Sequence, residues 1–153
     1  MNYFQDQITK NHCYGCGPQN KEGLNIKSYW DEDGISLCNF TPQAHHCAGP
    51  TKFLNGGIIA TVIDCHCICT AMAHDSKNSG IQLSSGDHNW YATESIFVKY
   101  KRPVSIDAEL TLKAHIENED DRRIYLSCTL ESDGKICATA DVIAISVPSS
   151  WMA

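Results

Sequence analysis

The sequence predicts an α+β domain in which an antiparallel β-sheet wraps around one long central helix. A run from Ile58 to Ala73 has helical length and no proline, and its first turns are apolar or small on every side, as in a buried helix. Segments on both sides of this run alternate apolar and polar residues with the period of a strand. Asp133-Gly134 between two such segments is typical of a tight hairpin. A twisted sheet packed on the helix buries both apolar surfaces.

The first third of the chain predicts an N-terminal extension followed by a hairpin. Residues 1–23 have no clear period; a short helical turn is compatible with Tyr3–Ile8, and proline and glycines make the remainder a loop. Alternation over Leu24–Trp30 and again over Ile35–Phe40 predicts two strands, which turn at Asp31–Gly34.

The rest of the chain predicts the helix and the remaining strands. A loop at 41–54 leads into the helix, which we expect to end near His74. The polar, glycine-bearing segment Asp75–Asn89 predicts a loop or a mobile lid. No repeat or linker interrupts the pattern, so residues 1–153 predict a single domain. The later strands are expected at Ala92–Lys101, Ala108–Asn118, Arg123–Glu131 and Lys135–Val147.

Composition limits the classes of function. The chain has 153 residues with 12 basic and 18 acidic side chains, a net charge of −6. This balance argues against a general nucleic-acid binder or a protein that binds anionic membranes. The first ten residues are polar and unlike a secretory signal, and no apolar run reaches the roughly 20 residues of a membrane span. We therefore expect the nine cysteines to stay reduced, in a cytoplasmic location.

The helix start and one acidic residue within the helix indicate acyl chemistry. Gly56 and Gly57 leave backbone N–H groups at the N-terminus, where the helix dipole attracts a negative oxygen. Asp64 lies two turns later among apolar neighbours, and a buried carboxylate without a partner is costly. An oxyanion-binding terminus and an acid together fit acyl transfer. In the simpler interpretation, the glycines only tighten the loop and Asp64 faces solvent or caps a neighbouring loop.

Three short motifs stand out along the chain. The first motif is Asn-Gly-Gly starting at Asn55, followed by a small apolar run and then Asp64. The other two motifs are the lead-in Cys13–Leu24 and the strand end Tyr100–Val104, which contains Arg-Pro. These motifs and their order resemble those of the PaaI-type hotdog-fold acyl-CoA thioesterases. The resemblance covers about residues 12–147 and implies the hotdog fold, which is the arrangement that the residue pattern predicts. The family usually has histidine at the position of Asn55.

The resemblance also implies roles in hydrolysis of an acyl-CoA to a free acid and coenzyme A, with no cofactor. The Gly56 amide would polarise the thioester oxygen. Asp64 would act as general base on water or as nucleophile on the carbonyl carbon, and the sequence leaves both open. The Asn55 amide would donate to the same oxygen or hold the turn, and unlike histidine it cannot titrate.

Four further residues are expected to bind the substrate. Gly57 belongs to the helix start, and His46 is a candidate for the mouth of the pocket. Thr93 lies where the resembling enzymes often have a polar pocket residue. Arg102 ends a basic strand segment and could clamp coenzyme A phosphates. The alternative for Arg102 is an edge charge that discourages aggregation.

The cysteines raise the question of a metal site. Cys13 and Cys16 form one Cys-x-x-Cys pair, whereas a structural zinc site needs four ligands, often from two such pairs. We therefore expect no metal, although His45–Cys47 could complete a site if the loops meet. Cys65 and Cys69 share a helix face, and we interpret them as core filling rather than as a nucleophile or metal ligands.

Helix geometry predicts an oligomer. Gly56 and Asp64 lie eight residues apart, or about 12 Å along one helix. An attacking group must come within about 3.5 Å of the carbonyl carbon. A two-fold dimer with antiparallel helices would bring Gly56 of one chain near Asp64 of the other. We therefore expect a homodimer, or a dimer of dimers, with sites shared between chains.

Three other functions stay open at this stage. Asn55 in place of histidine keeps open a non-catalytic domain that only binds acyl-CoA, although Asp64 argues against it. A hotdog hydratase would need a histidine about five residues after the aspartate, where Cys69 stands instead. A zinc-stabilised interaction module would depend on Cys13 and Cys16.

Overall fold

A computed structural model describes residues 1–152. Two helices are numbered in chain order: α1 (Phe4–Gln7) and α2 (Gly56–Ser79). Six strands form one sheet: β1 (Ser28–Glu32), β2 (Ile35–Phe40), β3 (Trp90–Tyr100), β4 (Leu110–Glu119), β5 (Arg123–Ser132) and β6 (Lys135–Val147). Short 3-10 turns lie at Ala44–His46, Leu83–Ser85 and Ser149–Met152.

All neighbouring strands are antiparallel, in the order β1-β2-β4-β5-β6-β3. Strands β5 and β6 are joined by Asp133-Gly134, which have positive φ values of 53° and 74°. This confirms the tight hairpin, because a two-residue turn of this kind needs positive φ at both positions. Strand β3 follows the helix and pairs with β6, so β1 and β3 form the two edges of the sheet. The predicted sheet around one long helix is confirmed.

Helix α2 is longer than the sequence predicted. Asn55 caps its start, and Gly80 ends it in the left-handed conformation at φ 76°. The expected end near His74 is wrong, because the polar residues that follow continue the helix on its solvent-exposed side. The first third of the predicted loop is therefore helical, and only the part after Gly80 is loop and 3-10 turn.

Strand β1 starts four residues later than predicted. Leu24 and Ile26 are buried as the alternation indicated, but their N–H groups bond to the carbonyls of Tyr14 and Gly15 in the N-terminal loop. Asn25 between them has a φ of 54°, which no regular strand adopts. The apolar period therefore identified buried residues correctly, while the hydrogen-bond partners came from a loop.

Helix α2 is apolar and long enough to cross a membrane by length and composition, with a mean hydropathy of 1.6 in its best window. This corrects the expectation that no segment reaches that length. Of this window, 61% is buried within the fold, and a core helix meets the same criterion. Burial against the sheet is therefore a sufficient reason for its composition.

One polar network lies inside this core. The fully buried His66 on α2 forms hydrogen bonds with Ser28 through Nδ1 at 2.8 Å and with Ser36 through Nε2 at 3.2 Å. Ser36 also bonds to Thr70 at 2.6 Å, and Gln5 donates to Ser28 at 2.9 Å. Burial lowers the pKa of His66 to about 4, so the imidazole is neutral at neutral pH. His66 is therefore a polar core residue whose ring nitrogens both have hydrogen-bond partners.

Candidate active site

The start of α2 is held by the side chain of Asn55. Its Oδ1 accepts hydrogen bonds from the N–H groups of Gly57 at 2.7 Å and Ile58 at 3.2 Å. A Cβ on Gly57 would lie 2.9 Å from this oxygen, so the cap needs glycine at that position. Of the two roles open for Asn55, the geometry shows the one that holds the turn. The Gly57 amide is already used by this cap.

Gly56 presents the amide that remains. It is the first residue of α2, and no acceptor within residues 1–152 takes its N–H. Its carbonyl accepts from the Tyr100 hydroxyl at 2.8 Å, which holds the helix start against the end of β3. A cavity of about 280 Å³ opens here, lined among others by Gly56, Tyr100 and Arg102. The helix start thus offers one free donor to a ligand.

Asp64 lies half-buried in the middle of α2. Thr93 on β3 donates its hydroxyl hydrogen to Oδ1 of Asp64 at 2.5 Å. Burial raises the pKa of Asp64, and the hydrogen bond from Thr93 offsets part of that rise. The carboxylate lines a second cavity of about 310 Å³ whose walls include Ile68, Met72 and Trp90. Asp64 and Thr93 are therefore neighbours in a largely apolar pocket.

Within one chain, Gly56 and Asp64 line different cavities. Their separation along the straight helix is about 12 Å, far beyond the reach of one carbonyl group. The single chain therefore does not assemble both groups at one point.

His46 has a different position from the one expected. Its ring is buried, stacks on Phe40 and accepts a hydrogen bond at Nδ1 from the Gln43 N–H at 3.0 Å. Burial lowers the pKa of His46. Its carbonyl accepts from the Asn55 N–H at 2.9 Å, and the ring lines neither of the two cavities. The geometry places His46 under the helix start as a support, rather than at the pocket mouth.

Arg102 lies beside the helix start, just beyond the end of β3. Its Nη1 donates to the carbonyl of Ile136 at 2.8 Å, and the exposed side chain lines the cavity that contains Gly56. A guanidinium has five N–H donors, so most of them stay free for a ligand. With the adjacent Lys101, it gives this cavity a positive rim. The role in phosphate binding stays a prediction.

Four cysteines from two parts of the chain meet at the wall of the Asp64 cavity. The Sγ atoms of Cys13 and Cys65 are 3.6 Å apart, as are those of Cys16 and Cys69. Hydrogen bonds from neighbouring thiols, above all that of Cys13, lower the pKa of Cys16. This revises the interpretation of the two helix cysteines as ordinary core filling. The residues expected to complete a site, His45–Cys47, are not part of this cluster.

Two contributions were missed from the sequence. Tyr100 holds the carbonyl of Gly56 and forms a wall of its cavity, although in the sequence it stands out only as part of a motif. Met72 and Trp90 line the Asp64 cavity, and nothing in their local pattern distinguishes them from core residues. The i, i+4 spacing of Cys65 and Cys69 was the available signal for the thiol cluster.

Comparisons with known proteins agree with the fold. No family model matches the chain. Over 87 residues it is 28% identical to acyl-coenzyme A thioesterase THEM4 of Rattus norvegicus, a match that covers 57% of this chain and 32% of that protein. The match thus spans about a third of that relative's length.

Solved structures match over most of the chain. A thioesterase superfamily protein from Shewanella loihica PV-4 is 25% identical with a TM-score of 0.65, covering 91% of this chain and 96% of that one. The PaaI protein of E. coli is 13% identical with a TM-score of 0.66, covering 82% of this chain and 81% of that one. The chain therefore has the hotdog fold of these thioesterase superfamily structures, and its fold is similar to that of PaaI.

Proposed function

We propose that this chain is an acyl-CoA thioesterase, which hydrolyses an acyl-CoA to a free acid and coenzyme A. The observation that carries the proposal is the pairing of Asp64 with Thr93 in an apolar cavity, on the helix whose start presents the free Gly56 N–H. The superfamily fold and the partial match to a protein named acyl-coenzyme A thioesterase support the same reaction.

The two groups divide the chemistry. The Gly56 N–H donates to the thioester carbonyl oxygen and stabilises the negative charge that forms there during attack. Asp64 either takes a proton from the attacking water or itself attacks the carbonyl carbon, and water then hydrolyses the resulting anhydride. In both routes the C–S bond breaks, one proton of the water ends on the departing thiol of coenzyme A, and the hydroxyl of the water ends on the acyl carbon. In the second route this happens when water attacks the acyl carbon of the anhydride and frees the Asp64 carboxylate. Thr93 orients the carboxylate through its hydrogen bond.

The reaction needs a second chain, and two surfaces of this chain are suited to bind one. One side of α2 is only partly buried, and its small residues near the start would let a second helix approach closely. This stripe contains Gly57, Ala60, Thr61, Asp64 and Ile68. The edge strand β3 exposes Phe97 by 60% and Tyr100 by 54%, in addition to its unpaired backbone. We infer a homodimer, or a dimer of dimers, with Gly56 of one chain beside Asp64 of its partner.

The two cavities suggest how the substrate lies. The cavity with Asp64 has apolar walls and is suited to the acyl group. The cavity with Gly56 carries Lys101 and Arg102 on its rim and is suited to the phosphates of coenzyme A. The nine free cysteines suit a reducing compartment, so we propose a cytoplasmic location.

The alternative is a domain that binds acyl-CoA without turnover. Its main support was the replacement of histidine by Asn55. The structure weakens that support, because Asn55 caps the helix and leaves the Gly56 amide free. A site that only binds would also have no need of a half-buried carboxylate.

Asp64→Asn separates the two functions. It removes the base and nucleophile with little change of shape, so hydrolysis of a panel of acyl-CoA thioesters should fall at least a hundredfold while binding persists. Released thiol measures turnover, and calorimetry with a slowly hydrolysed thioester measures binding. Asp75→Asn is the matched control, since it removes a carboxylate three turns along the same helix. Hydrolysis by Asp64→Asn near the unmutated rate would remove Asp64 from the mechanism.

A further inference from the structure

The cysteine cluster at the wall of the Asp64 cavity has the composition of a complete metal site. The thiol cluster consists of Cys13 and Cys16 in the N-terminal loop and Cys65 and Cys69 on α2. The two loop cysteines are separated by two residues and the two helix cysteines by three, so each pair can present both sulfurs to one point. The sequence showed one pair of ligands, and the fold supplies the second.

The known sulfur–sulfur distances suit an ion held between thiolates. With a Zn–S bond of about 2.3 Å, the edges of a tetrahedral four-sulfur site are about 3.8 Å long. The Cys13–Cys65 and Cys16–Cys69 sulfur pairs are 3.6 Å apart. The sulfurs of Cys13, Cys16 and Cys65 also all lie within 4.8 Å of one another, while that of Cys69 lies outside this group and would have to turn toward the ion. The spacing is far longer than the roughly 2.05 Å of a disulfide bond.

The N-terminal loop is shaped around these sulfurs. A Cβ on Gly15 would lie 2.2 Å from Sγ of Cys65, and a Cβ on Gly17 would lie 2.3 Å from the backbone nitrogen of Cys13. The Gly17 N–H also donates to the carbonyl of Cys13 at 2.8 Å, which closes the turn. A larger residue at Gly15 would push the loop away from the helix, and one at Gly17 would distort the turn that holds the loop cysteines.

A buried side chain supports the cluster from outside. Asn11 is 5% exposed, and its Nδ2 lies 3.6 Å from Sγ of Cys16 while its Oδ1 accepts from the Cys13 N–H at 3.1 Å. Donors to the ligand sulfurs are the usual outer contacts of metal-bound thiolates. Cys13 is exposed whereas the other three cysteines are buried, so an ion can enter from the solvent side.

We propose that the thiol cluster binds one zinc ion as a closed, four-thiolate structural site. Binding forms four Zn–S bonds and releases the thiol protons to solvent, with no change of redox state. A complete set of four sulfurs leaves no position for water, so the ion has no catalytic role. The site instead fastens the loop that contains Cys13 and Cys16 onto α2, and this loop is part of the wall beside Asp64. This proposal does not depend on the proposed hydrolysis and reverses the expectation of no metal.

Metal content of the purified protein tests the proposal directly. Protein expressed with zinc and purified without chelators should contain about one zinc per chain. Cys16→Ser and Cys69→Ser should each lower that content at least fivefold. Cys47→Ser is the matched control, since it removes a free cysteine outside the cluster and should keep the full content. The unmutated protein is also reduced and incubated with excess zinc before the measurement. A content below about 0.2 zinc ions per chain, far from the expected one, would then overturn the proposal.

Three further measurements on the unmutated protein apply even if the serine variants fail to fold. Titration with a mercurial should release one zinc ion as the thiols react, and cobalt in place of zinc should give the intense visible spectrum of a tetrahedral thiolate complex. Limited proteolysis should cut the N-terminal loop at least tenfold faster after the ion is removed. An intramolecular disulfide among these cysteines, iron in place of zinc, or a cobalt spectrum without thiolate bands would each refute the assignment.

Discussion

Mixing two inactive variants tests the site shared between two chains. One variant carries Asp64→Ala, and the other carries Gly56→Val, which blocks the amide donor. A Cβ at Gly56 would lie 3.5 Å from the Tyr100 ring, an ordinary contact, so the helix start can accept a side chain and the variant should fold. Each parent should lose at least a hundredfold in turnover, since one lacks the base and in the other the valine side chain blocks access to the oxyanion donor.

The recovered activity follows from symmetry. When equal amounts of the two chains exchange freely, about half of the dimers are mixed, and each mixed dimer has one intact and one doubly damaged site. Activity per chain should therefore rise to about one quarter of the unmutated value, well above either parent. A site within one chain predicts no recovery, because every chain then carries one damaged group.

The assay is thiol release from an acyl-CoA after the two variants are co-expressed with different affinity tags. Purification through both tags isolates mixed dimers, which should show about half of the unmutated activity. Gly49→Val is the matched control for the added side chain, because a Cβ at Gly49 meets no atom within 4 Å and should leave activity intact. Folded mixed dimers that stay inactive would refute the shared site.

Two further predictions concern the cavity rim and the core. Arg102→Ala should weaken the binding of coenzyme A thioesters at least fivefold more than the binding of short thioesters that lack the nucleotide. This difference should be smaller at high salt, and the control Arg122→Ala should not discriminate between the two kinds of thioester. Equal losses on both substrates would make Arg102 a simple surface charge. His66→Ala should lower the free energy of unfolding by about 3 kcal/mol in denaturant titration, because it leaves a cavity and buried hydroxyls without partners. A loss below about 1 kcal/mol, similar to that of the half-buried control His115→Ala, would contradict this account.

The sequence by itself determined the order of the elements and where the helix begins. Strands β2 and β6 have the predicted bounds, because side-chain alternation is a local property of a half-buried strand. Asn55 and the two following glycines marked the start of α2 for an equally local reason, since a cap acts on amides two and three residues away. The sequence also singled out Asp64 as an acid in an apolar run.

Only the tertiary structure decided which distant residues meet. The alternation of side chains predicted that β1 begins at Leu24. The backbone of Leu24 instead forms its hydrogen bond with the N-terminal loop, and no local signal in the sequence reports a partner ten residues away. The predicted helix end came too early, because the side chains become polar where the helix reaches the surface. The backbone hydrogen bonds of the helix continue beyond that point and end at Gly80. The thiol cluster needed both the loop and the helix, so composition near Cys13 alone could not reveal its other half. Local patterns predict burial and hydrogen bonding between near neighbours, whereas contacts between remote segments depend on how the whole sheet closes around α2.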